Sequence, residues 1–275
     1  MNDIIAYFST IPSSHRSLIL MGGITFFWLI ENTFPLFHLQ YRKWQHARIN
    51  FFLTFTTIVV NFVLAFILIK TANWTTENDF GLLQWLPALP LWLYTIIGLL
   101  LLDLIGAYLA HYVQHRFKIL WRFHLVHHTD TWIDTTSANR HHPGESIIRF
   151  VFTTLGVLII GSPMWMVFLY QTLSVISTQF THANIALPQK LDVFLSYFIV
   201  SPNMHKVHHH YVLPYTDSNY GNIFSVWDRL FGTFTNLPKD KIIYGVDTHM
   251  AVEENNNLKN LLKIPFQKAR SIKNS

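Results

Sequence analysis

Two stretches hold most of the reactive side chains in this sequence: HYVQHRFKILWRFHLVHH, residues 111–128, and HKVHHH, residues 205–210. His111 and His115 stand four apart; His124, His127 and His128 stand three and four apart; His205, His208 and His209 repeat that second spacing. Helical residues three or four apart share a face, so each set can turn two or three imidazoles towards one spot. Neutral imidazole is a good ligand for Zn, Cu, Fe and Ni near neutral pH. Eight such histidines exceed the four ligands of a tetrahedral zinc and suit two metals of higher coordination number. His141, His142 and His182 could raise the total to nine or ten, whereas His210 faces away from its neighbours. His15, His38, His46 and His249 sit in no ligand-like spacing and read as polar residues at a membrane edge.

Other chemistries are poorly represented. The chain has no cysteine, which removes disulfides, zinc fingers, Fe–S clusters and thiol nucleophiles. HEXXH is absent, and no GxGxxG or Walker sequence supports a nucleotide cofactor. Metal-bound imidazoles usually donate their other N–H to a carboxylate or carbonyl. Asp103 is the leading candidate for that role, eight residues before His111 and about two turns up the same helix face. A carboxylate in an apolar helix is costly and functional by default; the alternative is a hydrogen bond between helices. Asp228, Asn219, Asn203 and Glu145 are further candidates, while Glu31 is expected to meet another helix or a polar lining.

The elements that must carry these residues belong in a bilayer. Of 275 residues, 51% are hydrophobic and 13% charged, half the charged share of an ordinary soluble domain. Mean hydropathy is +0.26. A spanning helix needs about 20 mostly apolar residues. Leu18–Phe37, Phe51–Ile69 and Leu89–Ala110 qualify. Ile147–Phe180 is too long for one helix and is broken by Gly161-Ser162-Pro163, so it reads as a hairpin of two shorter helices. Val193–Val200 is too short to span and suits the interface. Residues 1–16 do not read as a cleavable signal peptide. With the first helix entering from outside, 18 of the 20 Lys and Arg residues fall on one side, which the positive-inside rule makes the cytoplasm. The N-terminus is then outside, the C-terminus inside, and all three histidine sets share the cytoplasmic face. The net charge of +5 is scattered beside apolar runs, as suits a membrane surface rather than nucleic acid.

The ordered motifs resemble those of the integral-membrane fatty acid hydroxylase / sterol desaturase superfamily. These are HxxxH (His111, His115), HxxHH (His124, His127, His128), RHHPGE (140–145), FTHANIALP (180–188), PNMHKVHHH (202–210) and SNYGNIFSVWDRLFGTF (218–234). The resemblance spans about residues 90–235. It implies a non-haem di-iron oxygenase that uses O₂ and two electrons to hydroxylate or desaturate an unactivated C–H bond of a lipid. It implies iron ligation by His111, His115, His124, His127, His128, His205, His208 and His209. His182 would be the isolated histidine ahead of the last triplet, and His142, followed by Pro143, matches better than His141. Sterol, fatty acyl, sphingoid and ether lipids all occur as family substrates. Electrons would come from a separate donor, cytochrome b5-like or ferredoxin-like, or from a reduced pterin for an ether lipid.

The expected architecture is an all-α, polytopic membrane bundle of about four spanning helices or hairpin legs. A cytoplasmic histidine-rich site and a C-terminal helical cap complete one domain over 1–240, and 241–275 reads as a basic cytoplasmic tail, attached to a surface or disordered. Three rival readings remain. A membrane metal-handling protein would set polar ligands at several depths, whereas these cluster at one face. A zinc-dependent lipid hydrolase needs a general base, for which Glu145 is the nearby candidate. A lipid-binding relative without activity would not need the full histidine set.

Overall fold

In a bilayer every backbone N–H and C=O must find its partner within the spanning segment, so apolar runs of this length become helices. The computed structural model describes residues 1–270, and among these no β-strand forms, only isolated bridges. A short helix α1 (Asn2–Ser9) precedes α2 (Ser13–Thr33) and the long α3 (Lys43–Glu77). Next comes α4 (Leu91–Asp103), continued through a π-helical turn (Leu104–Leu109) into α5 (Ala110–Arg116). The helix α6 (Lys118–His128) follows at once. The hairpin is α7 (Pro143–Ile160) and α8 (Met164–His182). Short helices α9 (Gln189–Leu195), α10 (Pro202–His208), α11 (Val226–Leu230), α12 (Val252–Asn255) and α13 (Leu258–Lys263) complete the chain.

Three helices among the described residues are long and apolar enough to cross a membrane: Lys43–Glu77, Leu91–Arg116 and Pro143–Ile160. The expected span at 18–37 does not qualify. Its helix starts at Ser13 with polar residues, carries Glu31 and Asn32 in its last turn, and stops at Thr33. It packs along α8, where Gln179 donates to the Leu20 carbonyl at 2.9 Å. That α8 partner is itself too polar, with Gln171, Ser174, Ser177, Thr178 and Gln179 along it.

The hairpin break falls where Gly161-Ser162-Pro163 placed it. Gly161 ends α7 at φ +71°, and a Cβ there would come within 2.2 Å of the Phe80 carbonyl oxygen, so only glycine fits. The last carbonyls of α7 are paired by the 80s loop: Leu82 N–H to Ile159, Leu83 N–H to Ile160, and the Gln84 amide to Gly161. These bonds satisfy carbonyls that the end of a helix leaves without intrahelical partners.

The bundle core joins α3, α4, α7 and α8 through Leu68, Ala72, Leu99, Leu102, Phe150, Val157, Ile160, Met166 and Val167. The other face of α3 exposes Phe55, Phe62, Val63 and Phe66, as befits a face wetted by lipid rather than water. At 1.5 Å per residue, α3 is about 50 Å long, beyond the about 30 Å of a hydrocarbon core. Its N-terminal turns therefore reach past the apolar zone, and there Ile49 and Leu53 meet Leu125 and Val126 of α6 and Val246, Leu261 and Ile264. Val246, Leu261 and Ile264 of the expected tail are thus packed into the fold, where they cover α3 and α6, while Ile243 and Phe266 stay exposed. Residues 271–275 of the expected tail lie outside the described residues.

Candidate metal centre

The histidines are delivered by helix ends that begin and stop for local reasons. The π-helical turn opens just before α5 and swings His111 and His115 inward; such turns recur at functional sites. Pro202 sits at the first turn of α10, and the Ser201 hydroxyl accepts from Met204 N–H at 3.3 Å, so the helix starts one turn ahead of His205.

Nine of the ten expected ligands come together, in two groups. His111, His115, His124, His128 and His208 form one; His127, His182, His205 and His209 form the other. Within each group the potential ligand atoms all lie within 4.8 Å of one another. Each HxxHH triplet is divided. His124 and His128 serve the first group and His127 the second; His205 and His209 serve the second and His208 the first. Adjacent helical residues point about 100° apart, so neighbouring histidines reach different centres while an i, i+4 pair shares one.

Five of the nine outer nitrogens are committed, while Nδ1 of His127, His128, His205 and His209 meets no partner among the described residues. Nδ1 of His111 donates to the Tyr220 carbonyl (2.9 Å), His208 to that of Ser218 (2.6 Å), and His182 to that of Thr178 (2.8 Å). Nδ1 of His115 meets the Asp217 carboxylate at 3.0 Å and that of His124 meets Glu145 at 2.8 Å. A neutral imidazole that donates through Nδ1 has only a lone pair on Nε2. Those lone pairs face inward: Nε2 of His111 is 3.0 Å from Nε2 of His124, and Nε2 of His182 is 3.2 Å from those of His127 and His205. Nε2 of His115 and of His208 is buried without any hydrogen-bond partner. Converging buried lone pairs repel unless a cation sits among them, so this donor set fits a metal at each group, with the outer bonds fixing ring orientation. Burial, and then the neighbouring imidazoles, hold His127, His128, His205 and His209 well below the ordinary histidine range, and burial pushes His208 down to about 3. The rings are neutral at pH 7, the state a metal requires.

The expected supporting residues sort differently. Asp103 touches no imidazole. The π-helical turn breaks the register that would have aligned it with His111, and its carboxylate accepts from Ile223 N–H, Phe224 N–H and the Trp227 indole at 3.1–3.2 Å. Asp228 accepts from Tyr220 N–H (2.7 Å), Gly221 N–H (2.8 Å) and Thr233 (2.7 Å). Asn219, at φ +53°, bridges the carbonyls of Met204 and Thr235. All three pin the 218–224 loop, whose Ser218 and Tyr220 carbonyls hold His208 and His111. Asn203 bonds through its backbone N–H to Asp192 at 3.2 Å, and among the described residues its buried Oδ1 meets no partner. Glu145 is the carboxylate on His124.

His142 is not brought to either group. It caps α7, with Nδ1 accepting from Gly144 N–H at 3.0 Å and Nε2 against the Leu262 carbonyl at 3.3 Å. Both nitrogens are used, and it is His141 whose ring lies 5.0 Å from that of His127.

Sequence reasoning missed several residues. His46, read as an edge residue, is buried, with Nε2 2.9 Å from both Asp130 oxygens and Nδ1 3.3 Å from Asp134. Tyr41 donates to the same Asp134, and buried Arg140 bonds Asn50 (2.9 Å) and the Asn255 carbonyl (2.6 Å). Lys206 is fully buried and donates to the Ala183 carbonyl at 2.7 Å, next to His182. The available signal was the pair of acids in HHTDTWID, directly after the first triplet. Glu31 behaves as expected, with Lys43 at 2.8 Å and the N–H groups of Thr135 and Asn184 at 3.0 Å.

Between the two groups lies a cavity of about 30 Å³, lined by His111 and His124 of one and His127, His182 and His205 of the other. The family profile for fatty acid hydroxylases matches residues 95–233, a segment running from within α4 past His209 to the loop that supports His111 and His208. The chain belongs to the fatty acid hydroxylase family. Among its relatives, the ornithine lipid hydroxylase of Rhizobium tropici is 28% identical over 156 residues, 56% of this chain and 46% of that protein. The alkylglycerol monooxygenase of Danio rerio is 30% identical over 145 residues, 52% of this chain and 31% of that one. Methylsterol monooxygenase 1 of Danio rerio is 26% identical over 154 residues, 56% and 51% respectively. The match thus spans about half or less of each relative. No solved structure matches.

Proposed function

We propose that this fatty acid hydroxylase family member is a membrane-bound di-iron oxygenase that hydroxylates or desaturates a C–H bond of a membrane lipid, with O₂ as co-substrate. The observation that carries the reading is the pair of histidine groups whose buried Nε2 atoms converge on two points either side of one small cavity. Three relatives are named for oxidation of an ornithine lipid, an alkylglycerol and a methylsterol, which supports lipid as the substrate class. Iron bound at both groups would supply the reduction and cleavage of O₂.

The chain's own residues do the rest. His111, His115, His124, His128 and His208 hold one iron, and His127, His182, His205 and His209 the other. Tyr220, Ser218, Thr178, Asp217 and Glu145 keep the rings of His111, His208, His182, His115 and His124 in one tautomer and one orientation. The buried walls exclude water, so that the reactive space takes a lipid C–H in preference to solvent. The Lys and Arg residues that flank the histidine sets, in 111–149 and 188–275, favour the cytoplasm for the site and C-terminus, where a separate donor delivers electrons: cytochrome b5-like, ferredoxin-like, or a reduced pterin.

The test is isotopic. Iron-loaded protein in lipid nanodiscs, given ¹⁸O₂ and each donor class in turn, is expected to yield a lipid carrying one ¹⁸O atom, or two hydrogens lighter for desaturation. Hydrolysed lipid without ¹⁸O would put a zinc-type hydrolase in its place.

A further inference from the structure

A guanidinium stands at the edge of the cavity. Arg149 lies in α7, among the three helices apolar enough to cross a membrane, and it lines the space between the histidine groups. An arginine in such a helix is costly and faces a charged partner or a wet cavity. Its ion contact here is Nη1 to Glu145 Oε1 at 3.8 Å, beyond hydrogen-bond reach, and that same oxygen already takes the His124 N–H at 2.8 Å. No side-chain hydrogen bond of Arg149 occurs among the described residues, and its side chain is 28% exposed. Five fixed donors are therefore free to meet something that enters.

The neighbouring wall is polar as well. Thr178 Oγ1 donates to Asn222 Oδ1 at 3.0 Å and the Asn222 amide donates to Ser174 Oγ at 2.7 Å. Ala107 and Gly221 are the small lining residues. An alkyl tail pressed against this wall would strip the guanidinium of solvent without return. A tetrahedral or planar oxyanion instead matches the guanidinium fork.

Resting on the reading of the cavity as the oxidation site, we infer that Arg149 binds the acidic group of the lipid substrate. The group is a phosphate or a carboxylate close to the reacting carbon, so oxidation falls near the headgroup and not far along the tail. Arg149 is then the specificity-determining contact between acidic and neutral lipids.

Equilibrium binding to the iron-loaded full chain in detergent tests this without turnover. The probes are 1-alkylglycerol 3-phosphate against the same 1-alkylglycerol, and an N-acyl amino acid against its amide. The wild type is expected to prefer one acidic probe by about tenfold, the scale of one charge-assisted contact; which pair shows it identifies phosphate or carboxylate. In Arg149→Gln the preference falls to within about twofold, and Arg149→Lys keeps part of it. If Arg149→Gln does not hold its iron, the wild-type preference at rising salt decides, since an ionic contact at a part-exposed arginine weakens. A wild type that prefers neither acid, a preference unchanged in Arg149→Gln, or one untouched by salt would overturn the inference. Acid preference in a protein that oxidises no lipid would leave Arg149 standing and sink the oxygenase reading alone.

Discussion

Nε2 of His111 lies 3.0 Å from Nε2 of His124, and neither nitrogen carries a proton to share, because His111 donates through Nδ1 to the Tyr220 carbonyl and His124 to the Glu145 carboxylate. Two lone pairs held face to face inside a protein form a binding site for a cation. Nε2 of His182, whose Nδ1 donates to the Thr178 carbonyl, likewise lies 3.2 Å from Nε2 of His127 and of His205.

The outer bond on His124 is expected to matter for the metal. Glu145→Ala leaves the buried Nδ1–H without an acceptor and should lower metal affinity by about 10–100-fold. Glu145→Gln keeps an amide oxygen in reach and should lose much less. Chelator competition on purified protein reads both; equal retention in the wild type and Glu145→Ala would contradict the role assigned.

Asp228 holds the loop, not the metal. Asp228→Ala removes the acceptor for the Tyr220 and Gly221 N–H groups and should cost about 3 kcal/mol, the penalty of leaving buried donors unpaired. A fall in the thermal midpoint, accompanied by weaker metal retention through Tyr220 and His111, is the expected pattern. An unchanged midpoint would show that the loop is held by other contacts.

His142 and His141 separate cleanly. His142→Ala removes a helix cap and should cost about 1 kcal/mol while both metal ions stay bound. Loss of an ion from this variant would return His142 to the ligand set.

Acid should release the metal. Burial holds His127, His128, His205 and His209 well below the ordinary range, and His208 is pushed down to about 3. A histidine with a depressed native value contributes stability that is fully present above its unfolded pKa of about 6.5. That contribution is lost as pH falls from there towards the native values. Metal retention and thermal midpoint should be level above about pH 7 and fall steadily below 6.5. A midpoint that rises between pH 6.5 and 5 would show that these rings are charged in the folded protein.

Much of the site was legible in the sequence, because i, i+3 and i+4 spacing states which histidines can converge. The division of each triplet was not, since it depends on where α5, α8 and α10 stand around α6. His46 was missed for the same kind of reason: its partners Asp130 and Asp134 are more than eighty residues away, and nothing local marks it. The alignment of Asp103 with His111 assumed a regular helix, and six residues of π-helix undid it. His141 and His142 are adjacent and chemically identical, and only the capping geometry at Gly144 distinguishes them. The hairpin was readable at Gly161, where backbone conformation itself demands the residue. The packing of Leu261 and Ile264 was not, because an amphipathic segment looks the same whether it covers a membrane or a neighbouring helix.

The most direct measurement is iron per chain, by elemental mass analysis of protein from iron-supplied cells. The wild type is expected to carry two ions; His111→Ala, in the first group, and His205→Ala, in the second, should each retain about one, and the double variant none. A wild type with a single ion, or two ions that survive the double substitution, would contradict two histidine-held centres.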